Sequence, residues 1–167
     1  MTPYYSADGI TVYHARFEDV LAAGLVGAPD LIHADPMYGV SERTKRASNG
    51  RGRGSSTGSN ALATARDFPA IPGDDQPYDP APLLALDRPL VLWGANHYAP
   101  RVPESPSWIL WDKREGVLVN DNAGMLRASE KGAVSIHSTQ KPIALCSWVF
   151  QRAKLKPGAL VFVPFLG

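Results

Sequence analysis

Asp35 closes the short apolar run Leu31-Ile32-His33-Ala34 and is followed by Pro36-Met37-Tyr38. A carboxylate, two backbone carbonyls and an aromatic ring are thereby delivered within four positions at the carboxyl end of a candidate buried strand. Such a group accepts N–H bonds and offers a face for stacking, although an Asp-Pro turn at a strand end also has a purely structural use. Further along lie His137-Ser138-Thr139-Gln140-Lys141-Pro142, an apolar helix, Pro157-Gly158, and Val161-Phe162-Val163-Pro164-Phe165-Leu166-Gly167. A helix opening presents free N–H groups that favour an anion, and glycine lets the backbone approach a ligand closely. Arg43, Lys45, Arg46, Arg51 and Arg53 are opposed locally only by Glu42. A solvated loop and a phosphate-binding loop both account for that cluster.

The tetrapeptide Asp35-Pro36-Met37-Tyr38 resembles the Asp-Pro-Pro-Tyr signature of S-adenosylmethionine-dependent methyltransferases that act on exocyclic amino groups. An aromatic amine is a poor nucleophile because its lone pair is delocalised into the ring. A carboxylate and a carbonyl accepting its two N–H bonds favour the pyramidal nitrogen and free that pair for in-line attack. The resemblance makes Asp35 the carboxylate, the Pro36 carbonyl the second acceptor, and Tyr38 the stacking partner of a base turned out of the duplex. Met37 stands where the family has its second proline, so φ is no longer fixed there. The segment His137 to Pro142 resembles the family's H-x-T-Q-K-P, and Val163 to Gly167 resembles the start of its D-P-F-x-G-S-G cofactor motif. Leu92-Trp93-Gly94-Ala95-Asn96-His97 and Trp108-Ile109-Leu110-Trp111-Asp112-Lys113 are similar to segments of small phage or bacterial adenine methylases.

The amine-binding motif precedes the cofactor motif, an order that resembles the circularly permuted β group of amino DNA methyltransferases. The resemblance implies a Rossmann-like, mostly parallel α/β sheet, S-adenosylmethionine as cofactor, DNA as partner, and transfer to adenine N6 or cytosine N4. It further implies cofactor contacts from His137, Ser138, Thr139, Lys141, Pro164, Phe165 and Gly167, with the Arg43 to Arg53 cluster on DNA phosphates. Two departures weigh against independent catalysis: Val163 replaces the family's aspartate, and the sequence stops at Gly167, inside the glycine turn, leaving the cofactor half incomplete. Three explanations stand side by side: an inactive remnant, a truncated product, or a subunit completed by another chain. An incomplete sheet would expose an edge and an apolar face, so self-association or a completing partner is expected. The alternative to an enzyme is a methyltransferase-like DNA-binding or partner subunit without activity of its own.

The elements that position these residues follow from hydrophobic patterning. Ile10 to Tyr13 reads as a strand and Glu18 to Ala23 as a helix, which with Asp30 to Ala34 gives a strand, helix, strand unit. Residues 39–60 turn to Ser, Gly, Arg, Asn and Thr with little that is apolar, the pattern of a flexible loop. Pro82 to Leu86 is a short helical candidate, and Leu90 to Trp93 is a strand ending at Gly94. Trp108 to Trp111 is a further apolar strand, with weaker strand character around Met125 to Arg127. Pro142 opens a helix through Ile143, Leu145, Val149 and Phe150 whose spacings suit one buried face, and Ala159 to Val163 is the last strand. Strands alternating with helices, several uniformly apolar, predict one α/β domain over residues 1–167.

Composition sets the remaining bounds. The 167 residues are 44 % hydrophobic and 20 % charged, within the globular range, and a net charge of +1 leaves any nucleic-acid footprint to local clusters. Cys146 is the single cysteine. It excludes an internal disulfide, fits a reducing cytoplasm, and sits among apolar helix residues, which argues against thiol-dependent cytosine C5 chemistry. His14, His33, His97 and His137 lack metal-ligand spacing. No run approaches the ~20 apolar residues of a membrane span, and the first residues lack a signal peptide's pattern. Trp93, Trp108 and Trp111 read as core, and Asn96 and His97, polar at a strand's carboxyl end, stand where α/β sheets often bind ligands.

Overall fold

The computed structural model describes residues 1–40, 71–105, 108–112, 117–119 and 141–166. The sequence-predicted sites at Arg43, Lys45, Arg46, Arg51, Arg53, His137, Ser138, Thr139 and Gly167 lie outside them, as does the strand character around Met125 to Arg127.

The chain is a mixed α/β structure around a small parallel sheet. Strand β1 (Tyr5–Ala7) and strand β2 (Ile10–Val12) form an antiparallel hairpin with Ala7 opposite Ile10. Its two-residue turn holds Asp8 at φ 53° and Gly9 at φ 76°, the left-handed pair whose twist matches that of the flanking strands. Helix α1 (Phe17–Ala22) carries Glu18 and Asp19 in its first turn, where the helix dipole favours negative charge, and buries Phe17 and Val20. Strand β3 (Leu31–Ala34) is buried throughout. After it come helix α2 (Ala81–Leu84), strand β4 (Leu90–Leu92), strands β5 (Leu110–Asp112) and β6 (Val117–Val119), helix α3 (Ile143–Arg152) and strand β7 (Val161–Phe162).

The order β4-β3-β7 makes a three-stranded parallel sheet, with Ile32 opposite both Leu90 and Phe162. Side chains alternate across it as the pleat requires. Leu31, Val91 and Trp93 pack with Leu145 and Val149 of α3, while Ile32, Ala34, Leu90, Leu92 and Phe162 pack with Phe17 of α1 and Leu83 of α2. Helices thus cover both faces of β3, which explains its unbroken apolar run. Asp30 ties the entrance of β3 to β7: its carboxylate accepts the Leu160 N–H at 2.8 Å, and its own N–H donates to the Leu160 carbonyl at 2.9 Å.

Three expectations need correction. The Ile10 strand does not open a strand, helix, strand unit in the parallel sheet; β2 pairs with β1, whose Asp8-Gly9 turn returns the chain antiparallel. The apolar strand near Trp108 begins at Leu110 and pairs antiparallel with β6, Leu110 opposite Val119, rather than extending the parallel sheet. Ile143 is 71 % exposed, because it lies two residues, about 200° around the helix, from buried Leu145.

Candidate functional site

Parallel strands bring their carboxyl ends to one edge of the sheet, the usual ligand-binding edge of open α/β structures. Here β3 delivers Asp35 to Tyr38, β4 delivers Trp93 and Gly94 with the 3₁₀ turn Ala95–His97, and β7 delivers Val163 to Phe165. Both oxygens of Asp35 are engaged. The Tyr38 hydroxyl donates to Oδ1 at 2.5 Å, and the Lys141 ammonium forms an ion pair with Oδ2. Lys141 arrives from just before α3, 106 positions along the chain, and its ammonium also lies 5.2 Å from the centre of the Trp93 indole ring. The side chains of Lys141 and Asp35 are only 11 % and 24 % exposed, so solvent screens this pair less than a surface one. The lysine expected to line the cofactor is therefore directed at the Asp35 carboxylate.

Beneath that pair is a buried polar chain. The Trp93 indole N–H donates to His33 Nε2 at 2.8 Å, which requires a neutral imidazole protonated on Nδ1. Burial pushes the His33 pKa down, the Lys141 ammonium adds to the effect, and Asp35 opposes it. The Tyr98 hydroxyl, in a side chain 1 % exposed, donates to the Trp93 carbonyl at 2.5 Å. Burial raises the Tyr98 pKa, helped by Tyr78 and Asp35, so this donor stays protonated. Tyr98 thus anchors the tip of β4 from below.

Tyr38 also packs against the neighbouring strand tip. Its ring stacks on the exposed His97 ring, with centroids 5.1 Å apart and planes 12° from parallel. Gly94, at φ 70°, lies so close that a Cβ there would stand 2.1 Å from Tyr38 Cε1 and 2.5 Å from Cζ. Only glycine serves both the left-handed backbone and the close approach. The exit from the motif is secured by Asp74, 5 % exposed, whose Oδ1 accepts the N–H groups of Gly39 at 3.0 Å and Val40 at 3.4 Å. Pro36 is buried, and Met37 packs half-buried against the turn at Gly73.

On β7 the tip has a different character. Phe165 sits edge-on to Phe17 at 5.3 Å and to Tyr78 at 5.8 Å, joining the core on the α1 side, with Pro164 half-buried beside it. Val163 places no carboxylate at this tip. Tyr78 contributes a buried hydroxyl without a hydrogen-bond partner among the described residues. Burial, with Asp79 and Glu18, pushes its pKa up to about 12.

The sequence singled out Asp35, Tyr38, Lys141 and the region of His97, which the structure brings together at one sheet edge, but it marked neither the direct Asp35–Lys141 link nor Asp74. The Pro72-Gly73-Asp74-Asp75 stretch looks like a solvated turn, and nothing in its spacing marks Asp74 as buried. Among the described residues no group of three His, Cys, Asp or Glu side chains is arranged to hold a metal ion, and no helix is long and apolar enough to cross a membrane. Compared with known proteins, the chain matches no protein-family model, no curated protein and no solved structure.

Proposed function

We propose that this chain is an amino-group DNA methyltransferase that transfers a methyl group from S-adenosylmethionine to adenine N6 or cytosine N4 of a base turned out of the helix. The Asp35–Lys141 ion pair carries this reading, since it joins the two resembling motifs across 106 positions at the carboxyl edge of one parallel sheet.

Asp35 Oδ2 stays with Lys141, which fixes the plane of the carboxylate. Among the described residues Oδ1 is held only by a neutral phenol, so the incoming amino group exchanges with the Tyr38 hydroxyl there while the Pro36 carbonyl accepts the second N–H. The base stacks on an aromatic face next to that carboxylate. The electron-rich face of the Trp93 indole, which lies 5.2 Å from the Lys141 ammonium, also suits a sulfonium cation. Trp93, Pro164 and Phe165 would hold the donor, which when bound supplies the electrophilic methyl. The Arg43 to Arg53 cluster, as read from the sequence, meets DNA phosphates.

Val163 favours a second reading, a methyltransferase-like DNA-binding or partner subunit, because it removes a carboxylate from the tip beside the donor. Isothermal titration with S-adenosylmethionine, followed by transfer of labelled methyl to DNA, separates the two. The enzyme reading requires binding below millimolar ligand and incorporation that falls at least ~100-fold in Asp35→Asn. Absence of both leaves the subunit reading. In either case DNA affinity falls with salt, and neutralising Arg43, Arg51 and Arg53 flattens that slope.

A further inference from the structure

We infer that His97 is the second plate of a two-ring clamp, facing Tyr38, that grips an unpaired nucleobase beside Asp35. The inference rests on the reading above for the ligand class, but its geometry is independent of the methyl donor.

Three observations carry it. The rings of Tyr38 and His97 are 12° from parallel at 5.1 Å, an offset stack like that formed by successive bases and aromatic side chains. The inner plate is positioned before binding by its hydroxyl bond to Asp35, and its close contact with Gly94 remains when an amino group takes the place of that hydroxyl. His97 is exposed and stands at the end of a three-residue 3₁₀ turn, so the outer plate covers the inner one from the solvent side and is the one free to yield. Admitting a planar ring between the two requires a plate spacing of roughly 7 Å, twice a stacking distance, and hence a modest outward shift of that turn. An exocyclic amino group on a ring gripped there points towards Asp35, because the Tyr38 ring itself reaches Oδ1 through its own hydroxyl.

The test is a fluorescence titration of the full chain with a short single-stranded oligonucleotide carrying one 2-aminopurine, which needs no base flipping and no recognition sequence. Wild type quenches the 2-aminopurine on binding. His97→Ala binds at least tenfold more weakly with reduced quenching, as stacking on one aromatic ring is worth ~1–3 kcal/mol per base. His97→Phe restores both to within about twofold. Because His97 is exposed, the melting temperature of His97→Ala stays at the wild-type value, which separates lost stacking from lost folding. Unchanged or tighter binding in His97→Ala, or no quenching by wild type, overturns the clamp. If the variant loses quenching while wild type neither binds S-adenosylmethionine nor transfers methyl, the methyltransferase reading fails and the clamp stands. If methyl transfer proceeds and His97→Ala binds as wild type does, the reverse holds.

Discussion

Gly94→Ala is the sharpest probe of the edge, because one methyl group meets two separable costs. At φ 70° an alanine is strained by about 1 kcal/mol relative to glycine. Its Cβ would also lie 2.1 Å from Tyr38 Cε1, 2.4 Å from Cδ1 and 2.5 Å from Cζ, so the ring must retreat by about 1.3 Å to reach ordinary contact at 3.4 Å. A shift of that size removes the 2.5 Å hydroxyl bond to the Asp35 carboxylate, a loss of about 1.5–3 kcal/mol. The combined cost is about 3 kcal/mol, or roughly 6–12 °C in melting temperature for a chain of this length. With Tyr38→Ala in the background the collision disappears and only the backbone term of about 1 kcal/mol remains. Urea denaturation of wild type, both single variants and the double variant therefore yields a coupling energy of about 2 kcal/mol. Effects that add to within about 0.5 kcal/mol would refute the claim that Gly94 exists to admit the Tyr38 ring.

Other predictions follow from the same geometry. Lys141→Met leaves the partly buried Asp35 carboxylate without its cation and destabilises by about 2 kcal/mol, less than for a fully buried pair because Asp35 keeps the Tyr38 bond and some water; chemical denaturation of Lys141→Met against Lys141→Met/Asp35→Asn checks this, the second change recovering part of the loss. His33 has a lowered pKa when folded, so its contribution to stability is complete above the ordinary value near 6.5 and is lost as pH falls below it, with a slope of up to about 1.4 kcal/mol per pH unit. Urea midpoints between pH 8 and pH 5 report that slope, and His33→Gln, which still accepts the Trp93 N–H, flattens it. Tyr78→Phe deletes a buried hydroxyl that has no partner among the described residues, and thermal melts should show a neutral to stabilising change of up to about 1 kcal/mol.

How much could be read beforehand depended on whether a feature is local. The apolar run Leu31 to Ala34 announced a strand covered on both faces, and the glycine at the end of Leu90 to Trp93 marked a second tip, so the α/β class and the edge carrying Asp35 were legible. Strand β1 escaped because Tyr5, Ser6 and Ala7 are exposed and carry no apolar alternation, although Asp8-Gly9 is a strong signal for a two-residue hairpin. Partner choice was not legible for Trp111, since an apolar strand reads alike in a parallel sheet and in the β5–β6 pair. The Asp35–Lys141 contact depends on the long chain path that brings the start of α3 back to β3, and no spacing rule encodes such a path. Gly94 could be recognised as a left-handed turn residue, but the tyrosine ring it makes room for belongs to another strand.

The central position of β3 has a kinetic consequence. Its neighbours lie far off in sequence: His33 meets Trp93 60 positions later, and Asp30 bonds Leu160 130 positions later. During synthesis the strand leaves the ribosome long before either parallel partner exists, with the N–H and C=O groups of Leu31 to Ala34 and their side chains still without the cover they will have. Pairing two such distant neighbours incurs the loop-closure entropy before any ladder forms, so assembly of this chain should be slow, governed by the late docking of α3 and β7, and prone to capture by hydrophobic-segment chaperones in the interval.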